Sequence, residues 1–199
     1  MTSATARGAA TARLLLQAAV DEWVSAGEVE VAAVARRAGV SAGLPYRYFG
    51  TRSGLLIALV QDFYDRLGEA AAMRLYADDS WAGRERARIA DWVKFLYDDP
   101  LSAVLLAGPV GDGAVMTEHT RRLDRLAEVG ARNIEQAQRA RELPADRDPA
   151  MLAAAILSGV HAMGTLALTR RPRPAADDVV RQVWTFVAGA AGCPKQEEK

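Results

Sequence analysis

The sequence predicts an all-α protein with a three-helix helix-turn-helix unit at its N-terminus and a larger helical bundle after it. Apolar residues recur at helical spacing along most of the chain, and no segment alternates as a half-buried strand does. Gly and Pro residues separate the apolar segments. With 199 residues, of which 50% are hydrophobic, the chain is long enough to bury such a core.

The first four helices are bounded by capping or turn residues. Apolar residues from Leu16 to Trp23 share one helical face, and Gly27 ends that helix. Ser41 is expected to cap the third helix, and Thr51 the fourth. The second, third and fourth helices are predicted at 31–38, 42–48 and 52–75.

The rest of the chain is also predicted to be helical. Further helices are expected near 83–97, 101–107, 117–142, 149–169 and 176–190, with a flexible Gly-rich connection at 108–113. The predicted units are an N-terminal domain at 1–52, a larger domain at 53–191 and a disordered tail at 192–199.

The charge distribution excludes bulk attraction to nucleic acid but permits a local contact. The formal net charge is +0, with 25 basic and 25 acidic residues. Between Val31 and Gln61, however, there is no Asp or Glu, while four arginines fall in that stretch. They are Arg36, Arg37, Arg47 and Arg52.

The N-terminal sequence and the single cysteine indicate the cytoplasm. Cys193 has no intramolecular disulfide partner, which is typical of a reducing compartment. The first residues lack the apolar segment of a signal peptide, so that cytoplasmic localisation is expected.

The Ala38-Gly39-Val40 turn between the second and third helices is typical of a helix-turn-helix. Gly39 permits the positive φ that reverses the chain, and Val40 fills the angle between the helices. The third helix then projects Tyr46 and Arg47 outward towards a major groove, while Phe49 faces the core.

These residues also resemble a known family. The segment from Val34 to Gly43, followed by Tyr46, Phe49, Thr51-Arg52 and Leu55-Leu56, is similar to the TetR family of bacterial transcriptional regulators. The resemblance implies an all-helical homodimer. In each subunit, the helix-turn-helix domain at 1–52 would bind DNA, and the C-terminal helical bundle at 53–191 would serve dimerisation and ligand binding. The DNA-binding residues expected from the turn, the charge pattern and the resemblance are Arg36, Ser41, Ala42, Gly43, Leu44, Tyr46, Arg47, Tyr48 and Arg52.

Three positions depart from the family pattern. Ala42 stands where relatives often have Lys, which removes one DNA contact. Pro45 replaces a Leu and is tolerated because it falls in the first helical turn. Glu30 stands where a capping Ser or Thr is usual.

Two apolar helices near the C-terminus predict the dimer interface. The segment 149–169 carries no charged residue, and a stripe without charge follows in 176–190. Two such helices from each subunit would form a four-helix interface. The dimer would then place two recognition helices on a palindromic operator. The expected interface residues are Ala155, Ser158, Gly159, Ala162, Val180, Val183, Trp184 and Val187. A membrane span at 149–169 is the alternative, although its Ala, Gly and polar residues make it only modestly hydrophobic.

A pocket for a mainly apolar small-molecule effector is expected among the middle helices, where bulky side chains concentrate. Its candidate residues are Tyr64, Trp81, Trp92, Phe95, Leu96, Met116, His119, Asn133, Gln136, His161 and Met163. Ordinary core packing is the alternative interpretation of each.

Catalytic, metal and cofactor motifs are not found. The two histidines are far apart in sequence, and the Gly-rich segment at 108–113 lacks the Lys-Ser/Thr of a phosphate-binding loop. The predicted function is a ligand-responsive transcriptional repressor that needs no cofactor. The alternatives are a small-molecule-binding helical protein or enzyme with a vestigial helix-turn-helix, and a membrane-associated helical protein.

Overall fold

The structure, a computed structural model, describes residues 2–107 and 112–193, with side chains from Gly8 onward. All regular structure in these two ranges is helical, which confirms the predicted fold class. The helices are α1 (Thr2–Ala26), α2 (Val31–Arg37), α3 (Leu44–Phe49), α4 (Arg52–Leu67), α5 (Trp81–Asp98), α6 (Ser102–Ala107), α7 (Gly113–Arg139), α8 (Pro149–Thr169) and α9 (Ala176–Ala191). A short π-helical segment, Gly68–Ala72, continues α4.

The N-terminal helices share one core with α4. Leu15 and Ala19 of α1, Val34 of α2 and Leu55 of α4 are almost completely buried in the same cluster, which continues to α5, α6 and α7. The predicted domain boundary at 52/53 therefore falls within a continuous core, and the division stays a prediction.

The third helix begins later than predicted. It starts at Leu44 rather than Ala42, and Gly43 rather than Ser41 is its N-cap, without a side-chain hydrogen bond. Pro45 lies in the first turn, where proline favours a helix start and its missing N–H costs nothing. Ser41 instead accepts the Leu44 N–H through its carbonyl, at 3.0 Å.

The fourth helix ends at Leu67 rather than Leu75. Beyond it the chain widens into the π-helical turn, in which the Met73 N–H donates to the Gly68 carbonyl at 2.8 Å. Ala71 in this turn is completely buried, so packing fixes the wider turn. Leu75 is 95% exposed.

The predicted interface stripe on α9 packs inside its own subunit. Val183 and Val187 are 0% and 1% exposed in a second core built with α5 and α7. Val180 and Trp184 join the same cluster, and the Trp184 ring lies 6.3 Å from that of Trp81. Val183 and Val187 are thus covered within the subunit, whereas Val180 and Trp184 are half-buried, and the assignment of the four residues to the dimer interface stays a prediction.

The uncharged helix α8 keeps part of its surface free. It packs against α6, α7 and α9, and Gly159 lies beneath the Phe186 ring of α9, where a Cβ would approach the ring to 2.3 Å. Ala155, Ser158 and Ala162 are exposed on the side away from the core. By length and composition, α8 is the one helix of the described ranges that could span a membrane.

The two remaining sequence predictions concern chain that is only partly described. The Gly-rich connection at 108–113 and the tail at 192–199 lie mostly outside the described residues. Gly192 ends α9 with a left-handed backbone conformation, φ +69°.

Candidate nucleic-acid interface and effector cavity

The turn before α3 depends on glycine at one position. Gly39 has φ +65°, which is in the left-handed region that other residues disfavour. The Val40 N–H donates to the Ala35 carbonyl at 3.0 Å, and the Gly39 N–H donates to the Arg36 carbonyl at 3.2 Å. These bonds close α2, and the half-buried Val40 fills the angle before α3 as predicted.

The position of α3 is fixed from its other end by α4. The Thr51 side chain accepts the Gly54 N–H at 3.0 Å, so Thr51 caps α4 as predicted. A Cβ at Gly54 would lie 2.0 Å from the Phe49 carbonyl oxygen, so only glycine permits this approach of the two helices. The orientation of α3 is therefore determined by rigid backbone contacts on both sides.

The outer face of α3 carries side chains without internal partners. Tyr46 is 52% exposed and Tyr48 38% exposed, and Arg47 is also exposed. Among the described residues, none of these three side chains has a hydrogen-bond or ion-pair partner. Exposed aromatic and cationic groups on a rigid helix are available to an external polyanion.

The four arginines of this region divide into two pairs. Arg37 is held by Glu22, with 2.9 Å between Arg37 Nη2 and Glu22 Oε2. Arg52 donates from Nε to the Val29 carbonyl at 2.7 Å, which ties α4 to the loop before α2. Arg36 and Arg47 are exposed and, among the described residues, unpaired, so they are the more available cations.

One carboxylate joins this region from a distant part of the chain. Asp112 accepts a hydrogen bond from Ser53 Oγ and caps α7 through the Ala114 N–H at 3.0 Å. The Ser53 hydrogen bond is the main reason that the pKa of Asp112 is below its usual value. The acid-free stretch of the sequence thus has an acidic neighbour in space, beside the start of α4.

A separate cavity of about 130 Å³ lies between α5, α7, α8 and the end of α4. Its walls are mostly aliphatic and aromatic. They comprise Leu67, Ala71, Ala72, Trp81, Glu85, Arg88, Ile89, Trp92, Leu126, Val129, Gly130, Asn133, Ile134, Ala153, Ile156, Leu157, Val160 and Val187.

Most of the polar wall of this cavity comes from α5, and the Asn133 amide of α7 adds to it. Arg88 Nη1 donates to Glu85 Oε2, and each of the two side chains is 19% exposed. Burial raises the pKa of Glu85, and the nearby Arg88 opposes that rise. The Nε of Arg88 and the Nε1 of Trp81 are buried N–H groups without a partner among the described residues.

Of the predicted effector residues, only Trp81, Trp92 and Asn133 line this cavity. The other eight predicted residues do not: Tyr64, Phe95, Leu96, Met116, His119, Gln136, His161 and Met163. Met116 is 40% exposed and Gln136 is exposed, because the cavity faces the side of α7 that carries Asn133. Tyr64 and Phe95 line two different open grooves, and Leu96 is 2% exposed in the core.

The two histidines form a cluster with Tyr64, in which His119 is buried and His161 is half-buried. The Tyr64 hydroxyl lies 3.3 Å from His119 Nδ1, and the His119 and His161 ring centroids are 6.5 Å apart. Burial lowers the pKa of both imidazoles, and the neighbouring His161 adds to the effect on His119. The cluster joins α4, α7 and α8. Among the described residues, no group of three metal-ligating side chains forms.

The sequence contained a signal for Glu85 and Arg88, two cavity residues that were not predicted. Trp81, Glu85, Arg88 and Trp92 recur at helical spacing, so the two charges lie on the apolar face of α5. A charged pair on an apolar stripe indicates a buried polar site more specifically than bulky residues do.

The turn at Gly39 joins α2, which packs in the core, to α3, which exposes aromatic and cationic side chains without partners in the described chain. This arrangement is that of the helix-turn-helix class of DNA-binding proteins. The sequence model of the tetR family of bacterial regulatory proteins matches residues 15–59, from α1 into α4. The chain is also similar to the BetI regulator of Cronobacter sakazakii, with 37% identity over 136 residues. That match covers 66% of this chain and 64% of the relative.

Comparison with solved structures gives the same fold along most of the chain. A TetR-family regulator from Rhodococcus sp. has a TM-score of 0.79 at 22% identity, covering 91% of this chain and 98% of that one. AibR, crystallised with isovaleryl coenzyme A and operator DNA, has a TM-score of 0.69 at 13% identity, covering 89% and 97%. At such identities the likeness shows the fold.

Residues 15–59 thus match the tetR family of bacterial regulatory proteins, and the similarity to a BetI regulator extends over 136 residues. The resemblance noted in the sequence is thereby confirmed, and the relatives are transcriptional regulators. The chain matches 37%, 64% and 31% of the lengths of the first three BetI relatives.

Proposed function

We propose that this protein is a cytoplasmic, homodimeric repressor that binds a palindromic operator and is released by a mainly apolar small molecule. The observation that carries the proposal is the outer face of α3, where Tyr46 and Arg47 are exposed and have no partner in the described chain. On this proposal, Arg47 and Tyr46 contact the major groove, and Arg36, Tyr48 and Arg52 contact the phosphates. Ser41, Ala42, Gly43 and Leu44 lie at the turn into α3 and approach the bases or backbone there.

Dimerisation through α8 is supported by its exposed, uncharged face. Met151, Ala155, Ser158, Ala162 and Leu166 recur at helical spacing and are all exposed in the single subunit. Small residues let two helices approach closely, and a two-fold axis places the same face opposite itself. On this proposal, the exposed apolar face of α8 packs against a second subunit and not against the lipid of a membrane.

An effector site in the cavity is supported by the course of α4. The N-terminal end of α4 adjoins α3, and its C-terminal end, Leu67, lines the cavity together with the π-helical turn. Sixteen residues of α helix span about 24 Å. An effector that favours another position of α4 would change the separation of the two reading helices and lower operator affinity by its differential binding energy. The AibR structure, with a ligand and operator DNA together, shows that the same fold holds both in that protein.

The proposal is tested by selecting bound sequences from a random duplex library. The expected result is a two-fold symmetric sequence whose half-sites are about 34–36 Å apart, one duplex turn. Candidate apolar compounds are then added, and release is followed by fluorescence anisotropy. Failure to enrich any sequence would contradict DNA recognition, and a symmetric site that no compound releases would contradict effector control.

The dimer face is tested separately by Ala155→Glu. Two opposed carboxylates in an apolar interface cost several kcal/mol, so dimer affinity is expected to fall by at least about 100-fold. Gln136→Glu, at an exposed position on α7, is the matched control. Sedimentation of the variant as an unchanged dimer would place the interface elsewhere.

A further inference from the structure

The cavity between α5, α7 and α8 combines an apolar enclosure with a specific polar wall. Trp92, Ile156, Leu157 and Val160 supply hydrocarbon surface, whereas the polar groups are on α5, with the addition of the Asn133 amide on α7. A ligand in such a site would bury most of its apolar body and would be oriented by a single polar group.

The charges on that wall already balance each other. Glu85 and Arg88 form an ion pair, and a second buried charge would need a partner of its own. A cationic ligand would have to displace Arg88 from Glu85, and an anionic ligand would have to displace Glu85 from Arg88. An uncharged ligand leaves the pair intact, and is therefore favoured.

The polar groups that remain are two buried N–H donors on α5 and the half-buried Asn133 amide on α7, which can donate or accept a hydrogen bond. Arg88 Nε and Trp81 Nε1 are buried and have no partner among the described residues, although most buried N–H groups in proteins are paired. Both side chains line the same cavity. Two N–H donors are complementary to one carbonyl oxygen, which has two lone pairs.

The size of the cavity limits the ligand further. A cavity of about 150 Å³ in another protein binds benzene, and the volume here is about 130 Å³. The ligand body is thus on the order of a six-membered ring with a short substituent.

From these observations we infer that the effector is a small, uncharged, mainly apolar molecule whose carbonyl oxygen accepts hydrogen bonds from Trp81 and Arg88. This inference rests on the proposed function for the role of the cavity, and it names the chemical class of the ligand. Ketones, esters, lactones and amides of this size share the required chemistry.

The test compares four probes of similar size by calorimetry on the full chain without DNA. Acetophenone carries a neutral carbonyl, and cumene is its hydrocarbon counterpart. Benzoate and phenyltrimethylammonium carry a negative and a positive charge. Acetophenone is expected to bind at least about 5-fold more tightly than each of the others, since each net hydrogen bond is worth roughly 2- to 10-fold.

The conservative variant Trp81→Phe removes the indole N–H and keeps an aromatic ring. It is expected to weaken acetophenone binding by about 2- to 10-fold and to change cumene binding by less than about 2-fold. Arg88→Lys retains the charge that Glu85 needs but lacks Nε, and the same pattern is expected from it. Thermal unfolding of each variant checks that it is folded.

Several outcomes would overturn the inference. They are equal binding of cumene and acetophenone, tighter binding of either charged probe, equal effects of Trp81→Phe on both neutral probes, and binding of none of the four. Operator affinity is measured independently by anisotropy. Normal operator binding with any of these outcomes would refute the ligand class alone, whereas the expected probe pattern without operator binding would refute the regulatory function alone.

Discussion

Helices α3 and α9 both carry aromatic and aliphatic residues at helical spacing, yet the fold uses them in opposite ways. On α3, Tyr46 is 52% exposed, and its side chain meets no polar partner in the described chain. On α9, Val183 is completely buried by α5 and α7 of the same subunit. A stripe covered by its own chain stabilises the fold, whereas one that the fold leaves uncovered is available for recognition.

The largest expected effect comes from placing a charge in the covered stripe. Val183→Glu would bury a carboxylate without a partner and is expected to lower the free energy of unfolding by at least about 4 kcal/mol, measured by chemical denaturation. Thr185→Glu, two residues along on the exposed side of α9, is the control and should remain folded. A stable Val183→Glu monomer would show instead that the stripe faces a partner.

The opposite result is expected at the uncovered face of α3. Arg47→Ala removes a cation without an internal partner, so the free energy of unfolding should change by less than about 0.5 kcal/mol. Operator affinity should fall by about 5- to 150-fold for each contact that is lost, measured by anisotropy. Arg132→Ala, at an exposed arginine of α7, should leave it unchanged. Equal losses in both variants would indicate a general charge effect.

The two histidines at the junction of α4, α7 and α8 are expected to make the free energy of unfolding depend on pH. Burial keeps the pKa of His119 and His161 below the unfolded value of about 6.5, so both are neutral in either state above that pH. Below about pH 6.5, the histidines of the unfolded chain bind protons at a higher pH than those of the folded chain do. As the pH decreases, the free energy of unfolding should therefore fall by up to about 1.4 kcal/mol per pH unit for each histidine.

Denaturation at pH 7.5, 6.5 and 5.5 measures this slope. The groups that face the pair are the Tyr64 hydroxyl and the Leu106 carbonyl, neither of which ionises in that range. His119→Gln should reduce the slope. An identical slope in the variant would exclude His119 as its source.

The smallest effects distinguish Thr51, a predicted cap that the structure shows, from Ser41, a predicted cap that it does not show. Thr51→Ala removes the side-chain acceptor for the Gly54 N–H and is expected to cost about 1 kcal/mol. Ser41→Ala removes a side chain that caps nothing and should change the free energy of unfolding by less than about 0.5 kcal/mol. Equal losses in denaturation would show that Ser41 caps α3 after all.

Local signals predicted the fold class and many helix boundaries. The positive φ of Gly39, the Thr51 cap and the extent of α8 follow from residues next to them in sequence. The start of α3 was predicted too early because Ser41 favours a cap and Pro45 favours a later start, and sequence alone does not rank the two.

The features that could not be predicted depend on packing between distant segments. The α9 stripe predicts burial correctly, but whether α5 or a second subunit covers it is a tertiary property. Asp112 joins the start of α4 from 59 residues away. Likewise, Met116 and Gln136 are plausible pocket residues by type, and only the rotation of α7 places them outside.

The most direct test of DNA reading by two copies of α3 is the stoichiometry of the complex. Sedimentation with a selected palindromic duplex, alongside a duplex that carries one half-site, measures how many subunits bind. Two subunits are expected on the palindrome, with much weaker binding to the half-site and loss of both complexes in Arg47→Ala. One subunit per palindrome, or full affinity in Arg47→Ala, would contradict the proposed role of α3.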